Sequence, residues 1–378
     1  MRIDGAELRL IELPLLAPFT TSFGTQTVRS CLIVTLHADG VSGYGECVAM
    51  EGPWYSYETI GTAEHIMREY LLPMLLGREL GEPAEVWDLF GPVRGHNMAK
   101  AALEMAGWDL FARMQGLPLS QVLGGNRERV AVGVSVGIQA SPAALVETVG
   151  NFVRDGYRRI KLKIAPGQDT EYVEAVRTAF PTTLLQVDAN SAYTLDDTPV
   201  FQGMDGLDLL LIEQPLGPDD IIDHAALQRE LRTAICLDES IHSPDDARHA
   251  LDLGSCRIIN IKPGRVGGHR QSKAIHDLCW SRGVPVWCGG MLETNIGRAH
   301  NVALASLPGF TLPGDISASA RYYAHDIAEP SFTLNDDSTL SVPSGPGIGV
   351  EVDREALDRV TVRAEEFSAR TLSRAGGV

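Results

Sequence analysis

Charged residues close five consecutive β-rich runs of this 378-residue sequence: Lys163, Asp188, Glu213, Asp238 and Lys262. The steps between them are 25, 25, 25 and 24 residues, so each occupies the same place in a repeating unit. Grouped carboxylates and ammonium ions suit acid–base chemistry, because a lysine whose pKa is lowered by its surroundings can accept a proton. The spacing therefore predicts a site for proton transfer.

Three of these side chains, Asp188, Glu213 and Asp238, follow neighbouring predicted strands. Carboxylates that converge in one cavity repel each other, and a hard divalent cation relieves that repulsion. Ligation by oxygen, with room for water and substrate, favours Mg²⁺, with Mn²⁺ as a substitute. The trio thus predicts a metal site. The alternative is three unrelated interior carboxylates paired with interior lysines.

Lysines flank the predicted metal site on both sides. Lys161 shares one face of its strand with Lys163, because alternate residues of a strand point the same way. Lys262 follows the trio. This arrangement predicts abstraction of a proton next to a carboxylate, with metal and ammonium charge stabilising the enediolate. Arg265 either adds to that charge or is a solvated loop residue.

The elements that must position these residues alternate regularly after about residue 130. Short β-rich runs alternating with helical stretches predict a (β/α)8 barrel, whose active site lies at the C-terminal strand ends. An open doubly wound sheet is the alternative, but its Gly-x-Gly-x-x-Gly fingerprint is not found after a first strand. The predicted strands are 130–136, 158–164, 183–188, 208–213, 234–238, 257–262, 284–288 and, weakest, 311–315. The predicted helices include 143–155, 169–180, 222–232, 244–253 and 268–282.

The first part of the chain has a different, α+β pattern. A predicted antiparallel meander (2–13, 29–38 and 41–46) contains a loop at 18–25, and helical segments follow near 57–76, 83–90 and 97–115. We therefore expect three parts, which are a capping domain at 1–125, the barrel at 126–320, and a C-terminal segment at 321–378 that packs back on the cap.

Composition limits the partners of the protein. The net charge is −17, which argues against nucleic acid or an anionic membrane as the main partner but allows a small anionic substrate beside a local cation. The sequence shows no C-x-x-C pair, no signal peptide and no apolar run approaching 18 residues. We expect a cytoplasmic protein with reduced thiols and no membrane span. A homo-oligomer is the general expectation for a soluble enzyme.

The strand ends carry five short motifs: Lys161-Leu162-Lys163, Val187-Asp188-Ala189-Asn190, Ile212-Glu213-Gln214-Pro215, Leu237-Asp238-Glu239-Ser240 and Ile261-Lys262-Pro263. With them the chain resembles the muconate-lactonizing subgroup of the enolase superfamily, which uses lysine and Mg²⁺ in the same way. Segments 18–25 and 289–301 further resemble the o-succinylbenzoate synthase / N-acylamino acid racemase family. The resemblance covers nearly the whole chain and implies a modified, TIM-like (β/α)8 barrel with an α+β capping domain.

The resemblance also implies residue roles. Lys163 and Lys262 would be the acid/base pair on opposite faces of the substrate, Lys161 would hold the carboxylate and lower the pKa of Lys163, and Asn190 would lie beside the metal. The implied substrate contacts are Ser135, Phe19, Phe23, Met50, Gly290, Leu292 and Tyr323. Each has a structural alternative, such as packing between the cap and the barrel. Asn295 stands where the family usually has glycine; asparagine tolerates positive φ, so we expect the loop to be kept with a changed fit to the substrate.

The implied activities are racemisation of N-acylated, and specifically N-succinylated, amino acids and o-succinylbenzoate synthesis. Racemisation needs two opposed bases, whereas the syn-dehydration of menaquinone synthesis needs only Lys163. A dipeptide epimerase or a muconate-type cycloisomerase is an alternative on the same scaffold. From a different class, a metal-free aldolase barrel would use Lys163 to form a Schiff base.

Overall fold

The computed structural model describes residues 1–369, so the last residues of the predicted C-terminal segment, 370–378, lie outside the described part. Its strands are β1 (Gly5–Thr21), β2 (Gly24–Ala38), β3 (Val41–Cys47), β4 (Arg129–Ala131), β5 (Val134–Val136), β6 (Arg159–Lys163), β7 (Leu184–Asp188), β8 (Leu209–Glu213), β9 (Ile235–Leu237), β10 (Ile258–Ile261), β11 (Val286–Cys288), β12 (Ala328–Glu329), β13 (Thr339–Ser341), β14 (Glu351–Val352) and β15 (Thr361–Ser368).

The helices are α1 (Ile60–Ile66), α2 (Leu72–Leu75), α3 (Glu85–Leu89), α4 (Asn97–Gln115), α5 (Leu119–Leu123), α6 (Pro142–Arg154), α7 (Thr170–Ala179), α8 (Thr198–Met204), α9 (Ile222–Glu230), α10 (Pro244–Leu253), α11 (Pro263–Val266), α12 (His269–Ser281), α13 (Asn295–Ala305) and α14 (Arg354–Val360). A π-helical turn, Met67–Leu71, joins α1 to α2, and 3-10 turns lie at Leu195–Asp197 and Ser319–Arg321. In the described part of the chain, no helix combines the length and apolar character needed to cross a membrane.

The predicted meander is the core of the capping sheet, whose strand order is β15-β1-β2-β3. Helix α4 lies against this sheet at backbone distance, because a Cβ atom on Gly45 would come within 2.1 Å of the Ala102 carbonyl oxygen. The helix ends at Gly116, which adopts φ +67° at the C-cap, a conformation that favours glycine. Strand β15 pairs antiparallel with β1, so the chain returns to the cap near its end.

The barrel contains seven parallel strands in chain order, from β5 to β11. The predicted eighth strand, 311–315, is not a regular strand. Instead, isolated bridges join Phe310 to Val286 and Gly314 to Val132, so this segment connects the two edges of the sheet. Pro313 interrupts the run and has no N–H to donate, which explains why no regular strand forms there.

Three other expectations differ from the structure. The predicted run 130–136 is divided between β4, which pairs with β13, and β5 of the barrel. The predicted loop 18–25 is largely the tip of a paired hairpin, since Phe19, Thr20 and Thr21 pair with residues of β2. Helices α8 and α13 were not among the predicted helices, although α13 packs against the site described next.

Candidate active site

The charged residues that close the strands lie at one end of the barrel. Lys163, Asp188 and Glu213 are the last residues of β6, β7 and β8, and they are direct neighbours in the parallel register. Asp238 and Lys262 each follow their strand by one residue. All five side chains are buried. Regular register thus places the predicted residues at the same height, as their spacing implied.

Lys161 lies among three carboxylates at this end. Its Nζ is 3.1 Å from Asp188 Oδ2, 3.1 Å from Glu213 Oε2 and 2.9 Å from Asp315 Oδ2. Burial alone would lower the pKa of Lys161, but the three negative charges outweigh it and raise the pKa above its usual value. The three carboxylates therefore favour the charged form of Lys161.

Lys163, two residues away, has fewer anionic neighbours. Its Nζ donates to Asp188 Oδ2 at 2.7 Å and to Asn190 Oδ1 at 2.6 Å. Burial lowers the pKa of Lys163, and the Asp188 carboxylate offsets only part of that effect. Of the two lysines on this strand, Lys163 is thus the one better suited to accept a proton.

A second charged group surrounds Asp238. Lys262 donates to Asp238 Oδ2 at 2.7 Å, the Tyr55 hydroxyl donates to Asp238 Oδ1 at 3.1 Å, and Arg265 also contacts Oδ1. The Lys262 Nζ lies 4.4 Å from the centre of the Tyr55 ring. Burial opposes the charged form of Lys262, but Tyr55, Glu239 and Glu213 leave its pKa above the usual value. Arg265 is therefore a buried partner of this group and not a solvated loop residue.

The three predicted metal ligands are all paired with buried cations. In residues 1–369, no group of three Asp, Glu, His or Cys side chains is arranged to hold a metal ion. Asp188 and Glu213 share Lys161, and Asp238 pairs with Lys262 and Arg265. Each carboxylate therefore has a positive partner at the strand ends.

The donor chemistry nevertheless fits a hard cation, because the site is rich in buried carboxylate oxygens. Glu239 Oε1 accepts a hydrogen bond from Asn190 Nδ2 at 2.9 Å, while Glu239 Oε2 is buried without a hydrogen-bond partner in the structure. Burial and the nearby charge of Asp188 raise the pKa of Glu239 to about 7. An unpaired, buried carboxylate oxygen beside two further carboxylates is the environment that a cation would stabilise.

A cavity of about 530 Å³, its open mouth included, lies over the charged strand ends. It brings together nearly all the predicted contacts. The predicted residues that line it are Lys161, Lys163, Lys262, Ser135, Asn190, Phe19, Phe23, Met50, Gly290 and Leu292. The hairpin tip of the cap therefore lies over the end of the barrel.

Two predicted residues have different places. Tyr323 does not line this cavity; its neighbour Tyr322 does, while the Tyr323 hydroxyl donates to the Leu292 carbonyl oxygen at 2.5 Å. Asn295 is not a loop residue with positive φ. It begins α13, and its buried side chain donates to the Ala328 carbonyl and accepts from the Ser319 hydroxyl. Asparagine is accommodated there by hydrogen bonds, not by backbone freedom.

Six lining residues were not predicted: Thr21, Gln26, Tyr55, Met291, Asp315 and Tyr322. Asp315 could have been found, because it closes the weak eighth run as the other charged residues close theirs. Tyr55 carries no such signal, since it lies in the cap and meets Asp238 only through the fold.

Two family models match the chain, one over each part. Residues 6–124 match the N-terminal domain of mandelate racemase / muconate lactonizing enzyme, and residues 144–356 match an enolase C-terminal domain-like model. The chain belongs to the enolase superfamily. Enzymes of the enolase superfamily are metal-dependent, generally on Mg²⁺. The predicted fold class, a modified barrel with a capping domain, is confirmed.

Individual relatives within the enolase superfamily are similar over their whole length. An o-succinylbenzoate synthase from Geobacillus kaustophilus is 53% identical over 97% of this chain and 98% of its own. An N-succinylamino acid racemase from Amycolatopsis sp is 52% identical over 96% of this chain and 98% of its own. The solved structure of an enolase-superfamily member from Listeria innocua has 46% identity, covers 97% of this chain and 99% of its own, and gives a TM-score of 0.94. The protein is therefore an enzyme of this superfamily.

Proposed function

We propose that the enzyme removes and returns the proton α to a carboxylate, as an N-succinylamino acid racemase that also catalyses o-succinylbenzoate synthesis. The observation that carries the proposal is the placement of two buried lysines, Lys163 and Lys262, on the walls of one cavity. Lys163 ends β6, the second strand of the barrel, and Lys262 follows β10, the sixth strand. Segment 310–314 is counted as the eighth position. Four positions are half the circumference, so the two ammonium groups approach a bound substrate from opposite sides.

The two lysines divide the proton transfer between them. Lys163 has the lowered pKa and takes the α-proton from one face. Lys262, whose pKa is raised, donates a proton to the other face. In the reverse direction each performs the opposite step, as racemisation in both directions requires. Lys161 remains charged and attracts the substrate carboxylate.

Asp188, Glu213 and Asp238 would hold Mg²⁺, with Mn²⁺ as a substitute. When bound, the cation supplies Lewis-acid charge for the substrate carboxylate. The chemistry of the site supports this assignment, because the oxygens of these three carboxylates are buried and the neighbouring Glu239 has a buried oxygen without a hydrogen-bond partner. Asn190 connects a proposed acid/base lysine with a carboxylate of the site, since its side chain accepts a hydrogen bond from Lys163 and donates one to Glu239.

The rest of the cavity suits the non-reacting end of the substrate. The cap contributes the apolar side chains of Phe19, Phe23 and Met50, and the barrel contributes Ser135 and the 289–294 loop with Gly290 and Leu292. An anionic head group at the lysines and a larger acyl and side-chain portion under the cap match an N-acylamino acid.

We propose dehydration as a second activity, because it needs only one of the two lysines as a base. Lys163 abstracts the α-proton and, once protonated, returns it to the hydroxyl that leaves from the same face as water, while Lys262 stabilises the negative charge that develops in between. Relatives named for both activities are about equally similar to this chain, at 53% and 52% identity. The same cavity is thus proposed to serve both.

Incubation with each enantiomer of N-succinylphenylalanine in D₂O tests the proposal. We expect exchange of the α-proton, seen by NMR, together with loss of optical rotation from either enantiomer. Exchange that leaves the optical rotation unchanged would contradict the proposed racemase activity and would show that the proton is removed from and returned to one face only. Borohydride trapping with substrate separates the aldolase alternative, because a Schiff base would leave a covalent adduct on Lys163.

A further inference from the structure

Leu292 is held in an unfavourable backbone conformation at the wall of the cavity. Its φ is +61°, in the left-handed region that leucine seldom adopts. The residue is nearly buried and lines the cavity together with Gly290 and Met291. Such conformations persist only where the surrounding structure enforces them, and they concentrate at functional sites. Contacts around Leu292 must therefore hold it in this conformation.

The most direct restraint comes from Tyr323. Its hydroxyl donates to the Leu292 carbonyl oxygen at 2.5 Å. Tyr323 is buried outside the cavity, so it can act on a substrate only through the loop. A hydrogen bond to the carbonyl of a residue with positive φ fixes the orientation of the adjoining peptide group.

The ends of the 289–294 loop are held independently. Glu293 Oε2 accepts from the Met291 N–H at 2.8 Å, and Glu293 Oε1 accepts from Asn301 Nδ2 of α13 at 2.9 Å. Thr294 donates to Glu46 of the cap through its hydroxyl at 2.7 Å and its N–H at 3.0 Å. Tyr323 thus restrains the Leu292 carbonyl, while the residues on either side of Leu292 are held by other groups.

A buried cation lies near this arrangement. Arg29 of β2 is fully buried, and its electrostatic neighbours include Glu46, Glu293 and Tyr323. Its guanidinium nitrogens make no hydrogen bond within the described residues, so Arg29 acts on these groups through its charge. Loss of the Tyr323 hydroxyl alone leaves the Arg29 charge and the contacts at the loop ends in place. A variant without this hydroxyl therefore tests the hydrogen bond to Leu292 by itself.

We propose that Tyr323 is a positioning residue that determines specificity: its hydrogen bond keeps Leu292 in the left-handed conformation and so fixes the cavity wall that receives the non-reacting end of the substrate. This inference rests on the proposed function only for the identity of the substrates. Tyr323 acts on binding of the acyl end, while the lysines that move the proton are unaffected by it.

The variant Tyr323→Phe removes only the hydroxyl. With N-succinyl- and N-acetylphenylalanine, we expect the ratio of their KM values to change at least fivefold, while kcat for each changes less than twofold. A general loss of folded enzyme would lower kcat for both and leave the ratio unchanged. Tyr44→Phe is the control, because Tyr44 is also buried and its hydroxyl accepts a hydrogen bond from Arg354, outside the cavity. An unchanged ratio in Tyr323→Phe would overturn the proposal.

Hydrogen exchange of residues 289–294, followed by mass spectrometry, tests the same inference without turnover. We expect exchange in this loop to be at least tenfold faster in Tyr323→Phe than in the wild type or Tyr44→Phe. In a Leu292→Gly background the change should disappear, because glycine needs no restraint at positive φ. Equal exchange in Tyr323→Phe and wild type would reject the role of Tyr323, whatever substrate the enzyme uses. Absence of α-proton exchange in the wild type would instead reject the proposed function.

Discussion

The charged strand ends and the 289–294 loop line the same cavity but are positioned in different ways. Each charged side chain is fixed by its own strand, and parallel register aligns Lys163, Asp188 and Glu213. The loop is fixed by residues far away in the chain, including Glu46 and Tyr323. The groups proposed for the chemistry therefore follow from local sequence, whereas the wall proposed for specificity follows from long-range contacts.

The largest effect is expected at the strand ends, from Asp188→Asn. This change removes the charge that Lys161 and Lys163 share and one proposed metal ligand. We expect kcat/KM to fall at least ~10³-fold, because preorganised charge is the main source of catalysis in such sites. Steady-state kinetics will measure the loss. Asp252→Asn, which breaks surface ion pairs with Arg282 and Arg248, should keep full activity. A loss of less than tenfold in Asp188→Asn would contradict this account.

Removal of divalent cations should be nearly as severe. We expect EDTA to abolish turnover and added Mg²⁺ or Mn²⁺ to restore it, because the buried carboxylates supply the oxygen ligands that these ions prefer. Tryptophan fluorescence should show that the chain stays folded during the treatment. Full activity after exhaustive chelation would show that the lysines act without a metal.

A smaller effect is expected at the apolar wall, from Phe19→Ala. Phe19 lines the cavity and packs edge-on against Tyr322, with ring centres 6.4 Å apart. We expect KM for N-succinylphenylalanine to rise about tenfold with kcat little changed, since an aromatic contact contributes ~1 kcal/mol to binding. Phe152→Ala is the matched control, because Phe152 lies outside this cavity. An equal fall in kcat would mean that Phe19 supports the chemistry and not only binding.

The same contrast explains how much could be predicted from the sequence. The barrel, the cap and the charged strand ends follow from alternation and from the regular 25-residue steps. Two features could not be predicted in this way: Tyr322, and not Tyr323, lines the cavity, and Asn295 begins α13. These two depend on hydrogen bonds between segments that only the folded chain brings together. The ion pair between Arg265 and Asp238 likewise could not be predicted, because no sequence spacing revealed the burial of Arg265.

The smallest effect concerns a buried carboxylate that has no lysine partner. Glu104 of α4 accepts from Trp108 Nε1 at 2.6 Å and from the backbone N–H groups of His269 and Arg270. Burial raises the pKa of Glu104 from 4.5 to about 7. Because the folded pKa lies above the unfolded one, the contribution of Glu104 to stability is complete below pH 4.5 and is lost as the pH rises through 7.

Urea unfolding between pH 5 and pH 8 checks this linkage. The free energy of unfolding of the wild type, relative to Glu104→Gln, should fall with rising pH by up to about 1 kcal/mol per pH unit until the pH exceeds 7. The difference between the two proteins separates the contribution of Glu104 from that of His300. Burial lowers the pKa of His300 to about 4, so the contribution of His300 to stability changes with pH in the opposite direction. Parallel curves for the two proteins would show that Glu104 is charged throughout this range.

The central claim is that Lys163 and Lys262 act on opposite faces of one bound substrate. It is tested most directly by following α-proton exchange in D₂O for each enantiomer of N-succinylphenylalanine with Lys163→Ala and with Lys262→Ala. We expect each variant to lose exchange of one enantiomer by at least ~10³-fold while retaining exchange of the other, and the two variants to have opposite preferences. Loss of exchange for the same enantiomer in both variants would contradict the opposed-lysine account.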